Sequence, residues 1–174
     1  AGGGGGVGYP VVMTTIRSDA AAEPLGPYAH ARRAGNLLFL AGIGPRVKGS
    51  KDIPGAVVDG AGNLVDYSIE AEMRSCFENI RIVLQEAGTT WENIVDVAVY
   101  LTDMKRDWKE YNRVYAEFFP PGGKNLPTRT TVEVSALPTG GNTPIHFEIK
   151  VIAVVSDGAT ERRSDGGGDG RGGR

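Results

Sequence analysis

Apolar residues recur at steps of three and four between positions 68 and 87. Ile69, Met73, Cys76, Phe77, Ile80, Val83, Leu84 and Ala87 fall on one stripe, which predicts a helix buried along that face. Ser68 is placed to cap its start, Glu70 and Glu72 suit the first turn, and Gly88 suits the residue just past the end. A second stripe of Trp108, Tyr111, Val114, Tyr115 and Phe118 predicts another helix. Asp107 is expected to cap it with Glu110 at the capping-box position, and Pro120-Pro121-Gly122-Gly123 to end it. Thr89 and Glu92 have capping-box spacing for one further short turn.

The remaining apolar positions follow strand periodicity. Residues 11–16 are β-rich. Residues 28–33 and 37–41 read as two strands joined by a turn at Gly35-Asn36, a hairpin pattern. Residues 94–101 alternate Val95, Val97 and Val99 against Asp96, Ala98 and Tyr100; residues 129–134 and 145–155 complete the set. The stretch 44–66 is rich in Gly, Pro, Asp and Lys and reads as a long loop with a small hairpin near 60–63; a loop of that length inside a compact domain is more often functional than accidental. The order β-β-β-α-β-α-β-β predicts an α+β layer with two helices on one face of the sheet. In the last strand Phe147, Ile149, Val151 and Ala153 alternate with Glu148, Lys150, Ile152 and Val154, so both faces carry apolar residues. Two helices cover one face only, and the other is expected to be buried against another subunit.

Composition narrows the picture without redirecting it. The chain has 174 residues, a net charge of -2, and 40% hydrophobic and 23% charged residues, ordinary for one globular domain. Residues 1–8 are nearly all glycine and 156–174 mix Gly, Asp, Arg and Ser, so both are expected to be flexible tails around a domain at 9–155. The charge balance points away from a nucleic-acid partner, and no apolar run reaches the ~20 residues of a membrane span. The single cysteine excludes an internal disulfide and fits a cytoplasmic location. With two histidines, one cysteine and no HExxH or CxxC spacing, no metal is expected; without a Walker loop, a GxSxG elbow or a GxGxxG after a strand, neither is a nucleotide cofactor.

What remains for chemistry is Arg129, which taken alone reads as an edge-strand arginine in a surface ion pair. Its context is more specific. Pro127-Thr128-Arg129-Thr130-Thr131-Val132-Glu133-Val134, Ala136-Leu137-Pro138 and Phe147-Glu148-Ile149 resemble the C-terminal signature of the RidA (YjgF) family. Gly26-Pro27-Tyr28, Phe39-Leu40-Ala41-Gly42 and Tyr111-Asn112-Arg113-Val114-Tyr115-Ala116-Glu117-Phe118-Phe119 match it in the same order, so the resemblance spans residues 9–155. It implies a chorismate-mutase-like α+β fold, a homotrimer with a central barrel, and clefts between subunits. It further implies that Arg129 grips a substrate carboxylate in a bidentate fork, that Glu148 activates water, that Tyr28 and Gly42 line the cleft, and that Asn112 and Tyr115 border it. Read from the residues alone, Glu148 is equally a solvated strand carboxylate, Tyr115 a core residue, Asn112 a backbone cap and Gly42 a strand end. Many family members carry a cysteine where Thr131 stands, and the interval from Leu137 to Glu148 is slightly stretched.

Pro27-Tyr28-Ala29-His30-Ala31-Arg32-Arg33, Gly42-Ile43-Gly44-Pro45-Arg46 and Ile53-Pro54-Gly55 resemble the 2-aminomuconate deaminases in particular. That resemblance implies hydrolysis of an enamine dicarboxylate, 2-aminomuconate, to 4-oxalocrotonate and ammonia without a cofactor. A second carboxylate needs a second cation, for which Arg46 and Arg32 or Arg33 are the candidates, unless they form only a solvated basic edge. Alternation places Arg32 with Tyr28 and His30 and turns Arg33 away; His30 is a candidate proton shuttle or a structural histidine. The alternatives are a general imine deaminase acting on 2-aminoacrylate-type intermediates and a non-catalytic metabolite-binding trimer. RNA cleavage is disfavoured by the acidic balance.

Overall fold

The structure is a computed structural model that describes residues 11–156 apart from 51 and 140. The tails expected at 1–8 and 156–174 lie, but for Ser156, outside the described residues. Strands β1 (Met13–Ile16), β2 (Ala31–Ala34) and β3 (Leu37–Leu40) form an antiparallel meander. A separate hairpin of β4 (Val57–Val58) and β5 (Leu64–Asp66) follows, then α1 (Ile69–Glu86), a 3-10 turn Trp91–Asn93, β6 (Ile94–Leu101), α2 (Met104–Phe118), β7 (Thr128–Glu133) and β8 (Phe147–Val154). The six-stranded sheet runs β1-β2-β3-β8-β6-β7. Among the described strands only β6 and β7 pair in parallel, and α2 is the crossover that a parallel pair requires.

Local signals and outcome agree for α1. The Ser68 hydroxyl accepts the Ala71 N–H at 3.2 Å, and Gly88 has φ 75° beyond the last turn. Gly35, φ 61°, makes the β2–β3 turn, and Asp59 closes the small hairpin by accepting the Ala61 and Asn63 N–H groups. The long loop is anchored to α1 through its Ile-Pro-Gly segment. Ile53 is buried, the Ser68 N–H donates to the Gly55 carbonyl at 3.0 Å, and Gly55, φ 82°, sits where a Cβ would lie 2.7 Å from the Ala71 Cβ.

Three local expectations are corrected. Helix α2 starts a turn early: Asp103 is its cap, accepting the Arg106 N–H at 2.9 Å, while Asp107 is buried and accepts the Tyr67 hydroxyl at 2.9 Å. The buried stripe is consequently Asp107, Tyr111, Val114 and Tyr115, and Trp108 is 46% exposed. The second strand begins at Ala31 rather than Tyr28, because the ladder with β1 ends at the pair Ile16–Ala31. Thr89 does not cap the short turn; its hydroxyl donates to the Val154 carbonyl at 2.5 Å.

Both helices pack on one face, over Val97, Val99, Phe147, Ile149 and Val151. The opposite face carries Phe39, Tyr100, Val132, Glu148, Lys150 and Ile152, and Phe39 and Val132 are exposed there.

Candidate active site

Glu148 follows Phe147 on β8 and lies opposite Tyr100 of β6, so alternation turns its side chain onto the helix-free face. There it reaches a cleft of about 690 Å³ at the β2–β3–β8 end of the sheet. Tyr28, Arg32, Gly42, Arg46, Glu148 and Lys150 all line it, with Arg17 from the end of β1. Among the described lining residues Glu148 is the one carboxylate, set among four cations. The carboxyl is half-buried, and loss of water raises its pKa; the Lys150 ammonium acts in the opposite direction.

Gly42 is required here by close approach. A Cβ at this position would lie 3.0 Å from the Glu148 Cδ and closer still to Oε1. Gly42→Ala is therefore expected to push the carboxylate aside and lower kcat by about tenfold or more, with little change in Tm; stopped-assay kinetics beside a melting curve check it.

Arg46 is carried on a segment that α1 holds from behind. Ser75 Oγ donates to the Pro45 carbonyl at 2.6 Å, Asn79 Nδ2 to the Arg46 carbonyl at 2.8 Å, and the Arg46 guanidinium to the Glu23 carbonyl at 2.7 Å. Tyr28 is bent back over a turn, its hydroxyl accepting the Leu25 N–H at 3.0 Å. Arg32 lies on the cleft side of β2, whereas Arg33 is buried on the other side and donates to the Gly35 carbonyl at 2.7 Å.

His30 is corrected. It is buried rather than beside Arg32, its Nδ1 accepts the Ser18 N–H and its Nε2 reaches the Ala22 carbonyl, each at 3.0 Å. Both ring nitrogens are committed to backbone, which fits a structural histidine and not a shuttle.

Arg129 occupies a different place. On edge strand β7 it pairs with Val97, and its side chain lies on the helix-bearing face. The guanidinium donates to Asn112 Oδ1 at 3.2 Å and stands 4.6 Å from the Tyr115 ring centroid. Asn112 is oriented in turn by its own bond to the Trp108 carbonyl at 2.8 Å. Tyr115 is 9% exposed, and its buried hydroxyl has no hydrogen-bond partner among the described residues; burial, then the neighbouring Tyr111, raises its pKa. Thr131, at the position of the family's cysteine, exchanges a 2.8 Å bond with the Tyr111 hydroxyl. Cys76 is buried, which pushes its thiol pKa up, unlike a reactive cysteine.

The expected site residues thus fall into two groups on opposite faces of one sheet. Glu148, Gly42, Tyr28, Arg46 and Arg32 share the cleft, while Arg129, Asn112 and Tyr115 cluster beneath α2. Two cleft cations went unrecognised in the sequence. Lys150 carried a usable signal, being two residues from Glu148 on the same strand face; Arg17 carried none. Among the described residues no group of three or more His, Cys, Asp or Glu side chains is arranged to hold a metal. None of the described helices is long and apolar enough to cross a membrane.

A two-helix, six-stranded α+β layer with a cationic cleft around one glutamate defines the class of protein to which the chain is compared. A family model described as Endoribonuclease L-PSP matches residues 18–155. A RutC family protein of Pyrococcus horikoshii is 38% identical over 138 residues, 79% of this chain and 94% of that protein. The chloroplastic Reactive Intermediate Deaminase A of Arabidopsis thaliana is 29% identical over 145 residues, 83% of this chain and 67% of that protein. The crystal structure of Escherichia coli TdcF with bound serine superposes with a TM-score of 0.65 at 26% identity, covering 82% of this chain and 99% of that one. The chain belongs to this family, the RidA family of the sequence resemblance.

Proposed function

We propose that the protein is a hydrolytic deaminase of enamine and imine carboxylates, with 2-aminomuconate as its substrate. The observation that carries the reading is the half-buried Glu148, its pKa raised by burial, in a metabolite-sized cleft lined by Arg17, Arg32, Arg46 and Lys150. A base beside excess positive charge suits water attack on a multiply anionic substrate. The name of the Arabidopsis relative supports deamination, and the serine bound to TdcF is in keeping with a small amino-acid-like ligand.

Arg129 cannot reach the cleft of its own chain from the other sheet face, so it is assigned to the cleft of a neighbour in a homotrimer. The exposed apolar residues on the helix-free face support such an assembly. In the reaction, the enamine tautomerises to the imine, carbon gaining a proton and nitrogen giving one up. Water, deprotonated by Glu148, adds to the C=N carbon, Glu148 returns that proton to nitrogen, and the carbinolamine passes its hydroxyl proton to the departing ammonia to leave the 2-oxo acid, 4-oxalocrotonate. Arg129 of one subunit holds the carboxylate next to the reacting carbon, and Arg46 with Arg32 receives the distal one. A cytoplasmic location belongs to the same reading.

Ammonia release from freshly made 2-aminomuconate, compared with 2-aminoacrylate, tests the substrate. The dicarboxylate is expected to have the higher kcat/KM, and Arg46→Ala to reduce that preference by about tenfold while sparing the monocarboxylate. Equal turnover of both by the parent protein would leave a general imine deaminase. Saturable carboxylate binding with no ammonia from either would leave a metabolite-binding protein.

A further inference from the structure

Glu72 is a carboxylate on the apolar stripe of α1, fully buried beside Met73 and Cys76. An ion in that position is tolerated only if donors surround it. They are drawn from one short segment. Oε2 accepts the backbone N–H of His146 at 2.7 Å and of Phe147 at 2.9 Å, and Oε1 pairs with His146 Nδ1 at 2.9 Å. The next residue along the chain is Glu148. Cys76, one turn further along α1, directs its thiol at the Phe147 carbonyl at 3.9 Å, and the Thr102 N–H donates to the His146 carbonyl at 3.2 Å. Beyond Glu148, Ile149 and Ile43 exchange backbone bonds of 2.8 and 3.1 Å. The peptides on both sides of Glu148 are therefore tied down, one of them mainly by a side chain from another element.

The clamp is itself braced. The His146 ring stacks parallel on Tyr67 at 3.4 Å, Arg106 covers the other face of Tyr67 at 3.7 Å, and the Tyr67 hydroxyl donates to Asp107 at 2.9 Å. The β6 ladder holds this end of β8 from one side, with Leu101 opposite Phe147 and Tyr100 opposite Glu148, and the Glu72 contacts hold it from the other.

We propose that Glu72 is a positioning residue that fixes the start of β8 and thereby holds Glu148 in the cleft. This rests on the reading of Glu148 as the carboxylate that activates water. Glu72→Gln keeps the size but removes the charge and one acceptor oxygen, which weakens the hold on the 146–147 segment. The expected result is a fall in kcat of about 10- to 100-fold, the cost of misplacing a catalytic group, with KM within about twofold. The acid limb of the kcat/KM profile is expected to move to lower pH, because a loosened Glu148 regains water. Lys150 on its own strand, Arg32 on β2, and Arg17, Tyr28 and Arg46 from the surrounding segments also face Glu148, and the substitution leaves all of them in place.

Glu148→Gln and Val83→Ala, a core truncation further along α1, are measured in parallel with melting curves. A fall in kcat no larger than that of a Val83→Ala protein of similar Tm, with an unmoved acid limb, overturns the clamp alone. Near-parental turnover by Glu148→Gln overturns the reading beneath it and the clamp together. If Glu72→Gln does not fold, Glu72→Asp, which keeps the charge but withdraws it from the segment, decides in the same way.

Discussion

Glu148→Gln is expected to lower kcat by about 10²- to 10⁴-fold, the range for loss of a general base, with a small change in KM. Glutamine fills the same space against Gly42 but cannot take a proton from water. The pH dependence follows from the environment of the carboxyl. Burial raises its pKa, so kcat/KM is expected to fall on acidification at a pH above the usual carboxylate range. Lys150 opposes that shift, and Lys150→Met is expected to move the acid limb further up in pH. Stability should move the other way from activity. A folded-state pKa above that of the unfolded chain means a stability contribution that is present at low pH and lost as pH rises through the folded pKa. At neutral pH the ionised Glu148 therefore weakens the fold, and the neutral glutamine variant is expected to melt no lower than the parent while being nearly inactive. An acid limb unmoved by Lys150→Met, or a clear drop in the Tm of Glu148→Gln, would contradict this account.

Arg129→Ala is expected to lower kcat/KM by roughly 100-fold, from about 3 kcal/mol of charge-assisted hydrogen bonding to the carboxylate. Lysine should restore little of it, lacking the fork that Asn112 orients. The stronger expectation concerns mixtures. Arg129 and Glu148 lie on opposite faces of the same sheet, so a site using both must draw them from two chains. Arg129→Ala and Glu148→Gln proteins, each nearly inactive, are expected to regain activity when unfolded together and refolded. With equal amounts and random assembly in a closed ring, about one quarter of the sites would combine an intact arginine with an intact glutamate. No recovery, with hybrid trimers demonstrated by mass, would place the two residues in separate functions.

The strand and helix order was legible because each element carries its own periodicity. Helix α1 came out within a residue at each end, since its cap, stripe and terminal glycine all act within a few residues. The start of α2 was less legible. Asp103 and Asp107 both satisfy local capping rules, and the hydroxyl of Tyr67, forty positions earlier, claims Asp107 for the interior. His30 departs from the alternation of β2 for a related reason. Its segment has already left the ladder, and the partners of its ring come from residues 18 and 22.

The sequence by itself determined the α+β class and one face covered by two helices, because periodicity is a local property of the chain; Glu148, Arg129, Gly42, Tyr28 and Arg46 stand out in it as candidates through motifs that resemble a family's. Only the tertiary structure decided that Arg129 and Glu148 stand on opposite faces, that Lys150 and Arg17 join the cleft, and that Glu72 bonds the backbone just ahead of Glu148. Those facts depend on strand register and on which helix crosses which strand. Register is set by contacts between residues far apart in the chain, and no local pattern records them.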